Sequence, residues 1–399
     1  MASGRGGYVA AARRLLPKMR SWRESIHREP EPSNEERATR DKITAALEDL
    51  KISYRTYDDG FYGVLGVIPS KRRGPVVALR ADMDALPVTE ATGLPFASSV
   101  TGRMHACGHD VHMSALLGAA AILAERSERL RGAVKLVFQP AEEQGADGGA
   151  LPFLRRGCFR DPSVDFVVGE HVEPGIPAGT IGIKPGACMA AADTVKITVH
   201  GRGGHAASPH QGPDAVLVAS EIVTGLQALV SRVRNPVDPV VISIGSIHGG
   251  TRHNILPDRV VLEGTVRTFR PATRAHMEEA LRRRVRAIAA SLQARVTISY
   301  EAGYPALWNP PRETAIVGTA LRAELGASRV VELEHPIMGA EDFARYLERV
   351  PGTFLRLGAG IAGRPASLHS STFAPPEESL VTGAAALAAS VGALQVAGR

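Results

Sequence analysis

Four short segments of this sequence concentrate side chains that bind metal ions or move protons. The first, His105-Ala106-Cys107-Gly108-His109-Asp110, sets a thiol and an imidazole two residues apart just ahead of an Ala/Leu-rich stretch. In an extended segment that spacing turns both side chains the same way, and a helix N-terminus nearby would favour the Cys107 thiolate. The second, Gln139-Pro140-Ala141-Glu142-Glu143, follows an apolar run. Adjacent carboxylates at a strand end diverge, so one can bind metal while the other faces a reacting water. The third, Gly169-Glu170-His171, closes the apolar run from Val164 to Val168, and the fourth, Leu368-His369-Ser370, lies in a loop before the last helix.

Each segment taken singly has an ordinary structural reading; their conjunction does not. One Cys, one carboxylate and three His, all at element ends, match the mixed ligand set of divalent transition ions. Five ligands exceed what a single catalytic tetrahedral ion takes while keeping an open position. Two ions sharing a bridging water are therefore the better count. Zinc, manganese, cobalt and nickel all suit such donors.

The elements that must position these residues alternate. Ser33 and Glu36 form a capping-box signature for a helix running to about Leu50. Short apolar runs at Tyr62 to Ile68, Val76 to Leu79 and Val134 to Phe138 read as buried strands, with a helix over about His112 to Arg129 between the last two. From Asp193 to about Tyr300 the order is strand (Thr194 to Val199), helix (Asp214 to Val233), strand (Val240 to His248), strand (Val260 to Phe269), helix (Thr273 to Leu292), strand (Arg295 to Tyr300). That β-α-β-β-α-β order is ferredoxin-like and predicts a separate small domain. Afterwards α/β character resumes, with a helix near Glu341 to Arg349, a strand at Thr353 to Leu357 and a closing helix after Pro376. The predicted fold is α/β: a discontinuous catalytic domain with a mixed sheet (residues 1–191 and 304–399) and an inserted satellite domain for lid and dimer contacts (residues 192–303).

Composition narrows the class further. At 399 residues, 44% hydrophobic and 22% charged, the chain is long enough for two or three packed domains and is neither disordered nor fibrous. The charge of +6 is not interleaved with aromatics as nucleic-acid surfaces are, and the basic run Arg282 to Arg286 reads as a solvated helix face. No nucleic-acid partner is expected. No continuous apolar run of about 18 residues and no apolar leader stand in the sequence, and three scattered cysteines suit a reducing compartment. A cytoplasmic protein without a membrane partner is the expectation. No GxSxG elbow is present, which disfavours serine acyl transfer.

The strings ADMDALP (Ala81 to Pro87), MHACGHD (Met104 to Asp110), QPAEE (Gln139 to Glu143), GRGGHAASP (Gly201 to Pro209), NILPD (Asn254 to Asp258), GTVRTF (Gly264 to Phe269) and GAEDF (Gly339 to Phe343) together resemble the M20 metallopeptidases. The subgroup includes hippurate hydrolases, N-acyl-amino-acid amidohydrolases, plant auxin-conjugate hydrolases and some carboxypeptidases. The resemblance spans nearly the whole chain in order and implies the same satellite layout. It also implies that Cys107, His109, Glu143, His171 and His369 bind two divalent ions and that Glu142 is the general base. His205, on a Gly-rich loop, would reach the substrate amide oxygen across a dimer interface, and Asn254 and Arg267 would line a pocket for the substrate carboxylate.

Three departures from the family pattern stand out. Where the wider family has a His two residues before an Asp, this chain has Asp82 before Asp84; Asp84 then reads as the group that orients a ligand His. The family's His-x-His-Pro-Glu stretch here reads His27-Arg28-Glu29-Pro30-Glu31, and Glu170 brings a carboxylate beside His171 that would tune substrate choice. The expected reaction is hydrolysis of the amide of an N-acyl amino acid by a metal-activated water. The alternatives are a carboxypeptidase acting on short peptides and, in another class, a metal-dependent small-molecule binding protein. The partner list is therefore the small substrate and a second copy of the chain in a homodimer or higher oligomer.

Overall fold

The computed structural model describes residues 7–145, 148–364 and 366–397; the first six residues, where the expectation of no apolar leader begins, lie outside them. In chain order come α1 (Gly7–Arg28), α2 (Arg37–Asp49), β1 (Ser53–Arg55), β2 (Val64–Ile68), β3 (Val77–Asp82), α3 (His109–Glu125), β4 (Val134–Gln139) and α4 (Ala150–Arg155). Next are β5 (Phe166–Pro177), β6 (Ile181–Ile183), β7 (Gly186–Met189), β8 (Ala191–His200), β9 (Gly204–His205), α5 (Ala215–Ala228), β10 (Val240–His248), β11 (Ile255–Leu256) and β12 (Arg259–Thr268). The chain ends with α6 (Pro271–Ser291), β13 (Arg295–Ala302), β14 (Leu307–Asn309), α7 (Pro311–Leu325), β15 (Val330–Glu332), α8 (Ala344–Leu347), β16 (Gly352–Gly360) and α9 (Glu378–Ala397).

Two compact units result. The first comprises Met1–Gly186, Trp308–His335 and Asp342–Arg399; the second, Ala187–Leu307 and Pro336–Glu341. In the first unit eight strands form a mixed sheet in the order β1-β2-β4-β3-β5-β16-β6-β15. Its centre is parallel, with β4 beside β3, β3 beside β5 and β5 beside β16. Parallel strands are covered on both faces, which is why β3 and β4 are buried at every residue and read as unbroken apolar runs. Helices α1, α3, α7 and α9 pack on one another, and α3 is buried from His109 to Leu123. A helix that is apolar or small all round belongs inside a core. The same holds for Glu378–Ala397, which with Ala215–Val233 is one of two helices among the described residues long and apolar enough to span a membrane.

The N-terminal region differs from the sequence reading in three respects. Helix α1 had no counterpart there. Ser33 and Glu36 do not form a capping box: no side chain of Glu36 caps α2. Instead the Glu31 carboxylate accepts from the Ala38 and Thr39 N–H groups at 3.0 and 2.7 Å, which frees the other two side chains for work elsewhere. The His27-to-Glu31 stretch is thus structural. His27 is buried between Asp110 (2.9 Å) and Glu90 (3.2 Å), and Arg23 joins Asp110 at 2.8 Å.

The second unit holds a four-stranded antiparallel sheet in the order β10-β12-β8-β13. Helices α5 and α6 pack on it, and its core gathers alternate residues of β8 (Val195, Ile197, Val199) with Val218, Ile222, Leu281 and Val285. Alternation puts every second strand residue inward. In the basic run of α6, Arg283, Arg284 and Arg286 are exposed and Arg282 is half-buried, with Arg282 and Arg283 paired to Glu278 and Glu279 one turn earlier, whereas Arg274 of the same helix pairs with the buried Asp193 of β8.

Candidate active site

All five residues read as ligands, together with Glu142 and Asp84, lie in the first unit. Strand β4 ends at Gln139, and Ala141 then takes a left-handed conformation, φ 58°, that throws Glu142 and Glu143 onto one tight 3-10 turn. The two carboxylates converge rather than diverge: each places an oxygen within 4.8 Å of His109 and of the other. Glu142 is buried and Glu143 half-buried. The turn is pinned from outside by Glu36, whose carboxyl accepts from the Ala141 N–H at 2.8 Å, and by Asp84, which accepts from the Glu143 N–H at 2.9 Å.

Cys107 and His109 come together by a turn, not by an extended stretch. The Gly108 N–H bonds the His105 carbonyl at 3.1 Å, and Gly108 stands at φ 78° as the residue before α3. A Cβ there would lie 2.6 Å from Val172 Cγ2, so only glycine fits. His109 opens α3 with its Nδ1 3.3 Å from Asp84 Oδ1, the orienting contact expected of Asp84. The other Asp84 oxygen accepts from Ser33 Oγ at 2.7 Å.

His171 lies inside β5, not at its end, because the strand continues to Pro177. The β3–β5 ladder stops at Arg80 and Gly169, and beyond it His171 Nε2 sits 3.2 Å from Cys107 Sγ. His171 Nδ1 donates to the Val172 carbonyl at 2.8 Å, which leaves the Nε2 lone pair directed at the cluster. His369, in a turn at φ 64°, reaches Glu143 Oε1 at 3.2 Å. Two overlapping sets emerge, Cys107 with His109 and His171, and Cys107 with Glu143 and His369; the donor atoms within each set lie within 4.8 Å of one another. The other ring nitrogen of His109, Nε2, is buried without a hydrogen-bond partner, its nearest carboxylate oxygen being Asp82 Oδ2 at 3.7 Å, a costly arrangement unless something else fills that position.

The electrostatics point the same way. Burial pushes the Cys107 thiol well above its usual range, and the Glu143, Glu142 and Asp82 carboxylates push it further. The helix N-terminus does not yield the thiolate expected from sequence. Burial alone would make His109 easier to deprotonate, but Asp82, Asp84 and Glu143 overcome it and hold its proton up to about 10. Without a cation among them, the carboxylates favour a protonated, neutral Cys107 thiol and a charged His109 imidazole. A cation in their place would displace both protons.

Beneath the cluster lies a buried network that sequence reading missed. Arg80, fully buried, donates to Asp82 Oδ2 (2.7 Å), Asp342 Oδ1 (2.9 Å) and Gln139 Oε1 (3.0 Å). Asp342 also accepts from the Gly149 and Ala150 N–H groups at 2.9 Å. His112 Nδ1 donates to Asp82 Oδ1 at 2.6 Å. The sequence signal was there: a charged Arg80 and Asp82 inside an otherwise apolar strand must be paired to be buried. Glu170 departs from its expected role. Strand alternation turns it away from His171 toward α9, where the missing side chain of Gly383 makes room for it. Burial, with Asp82 nearby, raises its carboxyl to about 8, so near neutral pH it brings no charge to the cluster.

The remaining candidates belong to the second unit. His205 pairs with Ile255 on the β9–β11 ribbon, and the Ala206 N–H bonds the Asn254 carbonyl at 3.1 Å. His205 and Asn254 are therefore neighbours, both exposed. The Ala207 N–H donates to His205 Nδ1 at 3.0 Å, so the neutral ring carries its proton on the outward Nε2. Arg267 is not with them. The ribbon leaves the end of the sheet where Arg259 pairs with His200, whereas Arg267 pairs with Ala192, eight residues along β12 (267 − 259) and roughly 26 Å away at ~3.3 Å per residue.

Fold and cluster together define an amidohydrolase or peptidase. The chain belongs to peptidase family M20/M25/M40, whose sequence profile matches residues 78–393. It is 41% identical over 336 residues to the N-acetyl-L-cysteine deacetylase of Bacillus subtilis, covering 84% of this chain and 79% of that one. It is 39% identical over 367 residues to thermostable carboxypeptidase 1 of Saccharolobus solfataricus, covering 91% and 92%. The crystal structure of the Bacillus subtilis YXEP protein, a dinuclear metal binding peptidase from the M20 family, superposes with a TM-score of 0.81 at 33% identity over 96% of this chain and 99% of that one. Membership of this hydrolase family decides for an enzyme over a metal-dependent binding protein.

Proposed function

We propose that this chain is a cytoplasmic amidohydrolase that cuts the amide bond of N-acyl amino acids with two divalent ions held by Cys107, His109, Glu143, His171 and His369. The observation that supports it is the pair of donor sets overlapping at Cys107, with the buried Glu142 beside them. Bound there, such ions would lower the pKa of a water and polarise the scissile carbonyl. Glu142 takes the proton of that water and returns it to the departing nitrogen. His205, its proton held outward on Nε2, donates to the developing oxyanion, and Asn254 and Arg267 grip the carboxylate of the substrate. Because Arg267 lies far along β12 from His205 and Asn254, one pocket is best completed by two subunits, Arg267 from one and the His205 ribbon from the other.

Metal analysis of the purified protein, followed by assays on a series of N-acyl amino acids and on dipeptides with free carboxylates, tests the reading. Turnover of N-acyl amino acids with about two ions per chain is the expected result. Preferred cleavage of dipeptides would favour a carboxypeptidase, the activity named for the Saccharolobus relative. Full activity without divalent metal would overturn both.

A further inference from the structure

His112 stands outside the ligand set, yet it ties β3, through Asp82, to β5, the strand that carries His171. The β3–β5 ladder ends at Arg80 and Gly169, and past that point the Val172 N–H finds its acceptor not in a strand but in His112 Nε2, at 2.8 Å. The other ring nitrogen donates to Asp82 Oδ1 at 2.6 Å, and Asp82 is fixed in turn by Arg80 at 2.7 Å. Both backbone polar groups of Val172 are therefore occupied: His112 holds its N–H, and its carbonyl takes the Nδ1–H of His171 at 2.8 Å.

We infer that His112 is a positioning residue for metal uptake, one that sets the direction of the His171 Nε2 lone pair by holding the Val172 backbone through the chain Arg80, Asp82, His112. The chemistry demands a group with a donor at one end and an acceptor at the other, rigid and buried. A neutral imidazole with its proton on Nδ1 meets that demand. Had His112 been only core filling, a side chain of like volume without those two atoms would serve as well.

The inference rests on His171 being a metal ligand, and the test separates the two ideas. Cobalt(II) is titrated into the metal-free wild type, His112→Gln and His112→Asn, with stoichiometry and the cobalt absorption spectrum as readouts and thermal unfolding of each metal-free protein as the control. Gln places an oxygen where Nε2 stands and keeps an acceptor for the Val172 N–H. Asn is too short for that and keeps only the Asp82 bond. The expected result is wild-type stoichiometry and spectrum for H112Q, and for H112N a roughly 10- to 100-fold weaker uptake of one ion at similar unfolding temperature. If H112N does not fold, His112→Met, which keeps the buried volume and offers no comparable acceptor, takes its place. Equal metal binding by Gln and Asn (or Met) variants, or loss in H112Q, overturns the inference alone. A wild type that takes up no cobalt overturns it together with the ligand assignment.

Discussion

The Glu36 carboxyl, buried at the start of α2, accepts the N–H of Ala141 at 2.8 Å and so anchors, from 105 residues away, the turn that presents Glu142 and Glu143. Burial, with the charge of Asp84, raises that carboxyl to about 8 from an ordinary 4.5. The folded protein then keeps a proton that the unfolded chain gives up at much lower pH. The stabilisation linked to it is complete below about 4.5 and is lost as the pH rises through about 8. Denaturant unfolding of the metal-free protein across this range should show stability falling with pH in the wild type and a flatter profile in Glu36→Gln. Identical profiles would remove Glu36 from the account.

Glu142→Gln should keep the fold and most of the bound metal while losing at least ~100-fold in turnover, because it deletes the proton carrier and spares the ligands. Cys107→Ala and His369→Ala should instead lower the metal content. Near-wild-type turnover in the first variant refutes the base assignment, and unchanged stoichiometry in either of the others refutes the ligand set.

Metal uptake should expel protons. The Cys107 thiol is held protonated and the His109 proton is held up to about 10, so both must leave for those atoms to ligate. Affinity should rise at least about tenfold per pH unit near neutrality, one proton released for each factor of ten. Calorimetry in buffers of different ionisation enthalpy counts the protons directly, and a count of zero is incompatible with Cys107 or His109 as ligands.

Gly108→Ala should be severe for one residue. At φ 78° an L side chain costs about 1–2 kcal/mol, and its Cβ would press on Val172 at 2.6 Å, beside His171. Lowered thermal stability together with weakened metal binding is expected. A variant that unfolds earlier yet binds metal as the wild type does would show that the turn is not what brings Cys107 and His109 together.

A dimer whose pockets borrow His205 from the partner subunit predicts complementation. His205→Ala and Glu142→Gln, each inactive alone, should on subunit exchange restore up to roughly a quarter of wild-type activity, since about half of the dimers are mixed and each has one whole site. Activity that stays at the level of the separate variants, with exchange proven by mass spectrometry, assigns His205 to its own subunit or removes it from catalysis.

By itself the sequence determined which residues could bind metal and where most elements lie. Cys107, His109, Glu143, His171 and His369 carry donor chemistry in their side chains, and strands such as β3 and β4 announce themselves as unbroken apolar runs because both their faces are covered. Tertiary structure alone decided how the donors meet. Left-handed backbone at Gly108 and His369 sets Cys107, His109 and His369 on turns rather than on strands, and at Ala141 it makes Glu142 and Glu143, which strand geometry would have splayed, converge. The pairing of Arg80 with Asp82 and Asp342, the reach of Glu36 to Ala141, and the separation of Arg267 from His205 along β12 join or part residues distant in sequence. Local pattern carries no record of such contacts: what pairs a buried charge or an unmet N–H is whichever group the folded chain delivers there.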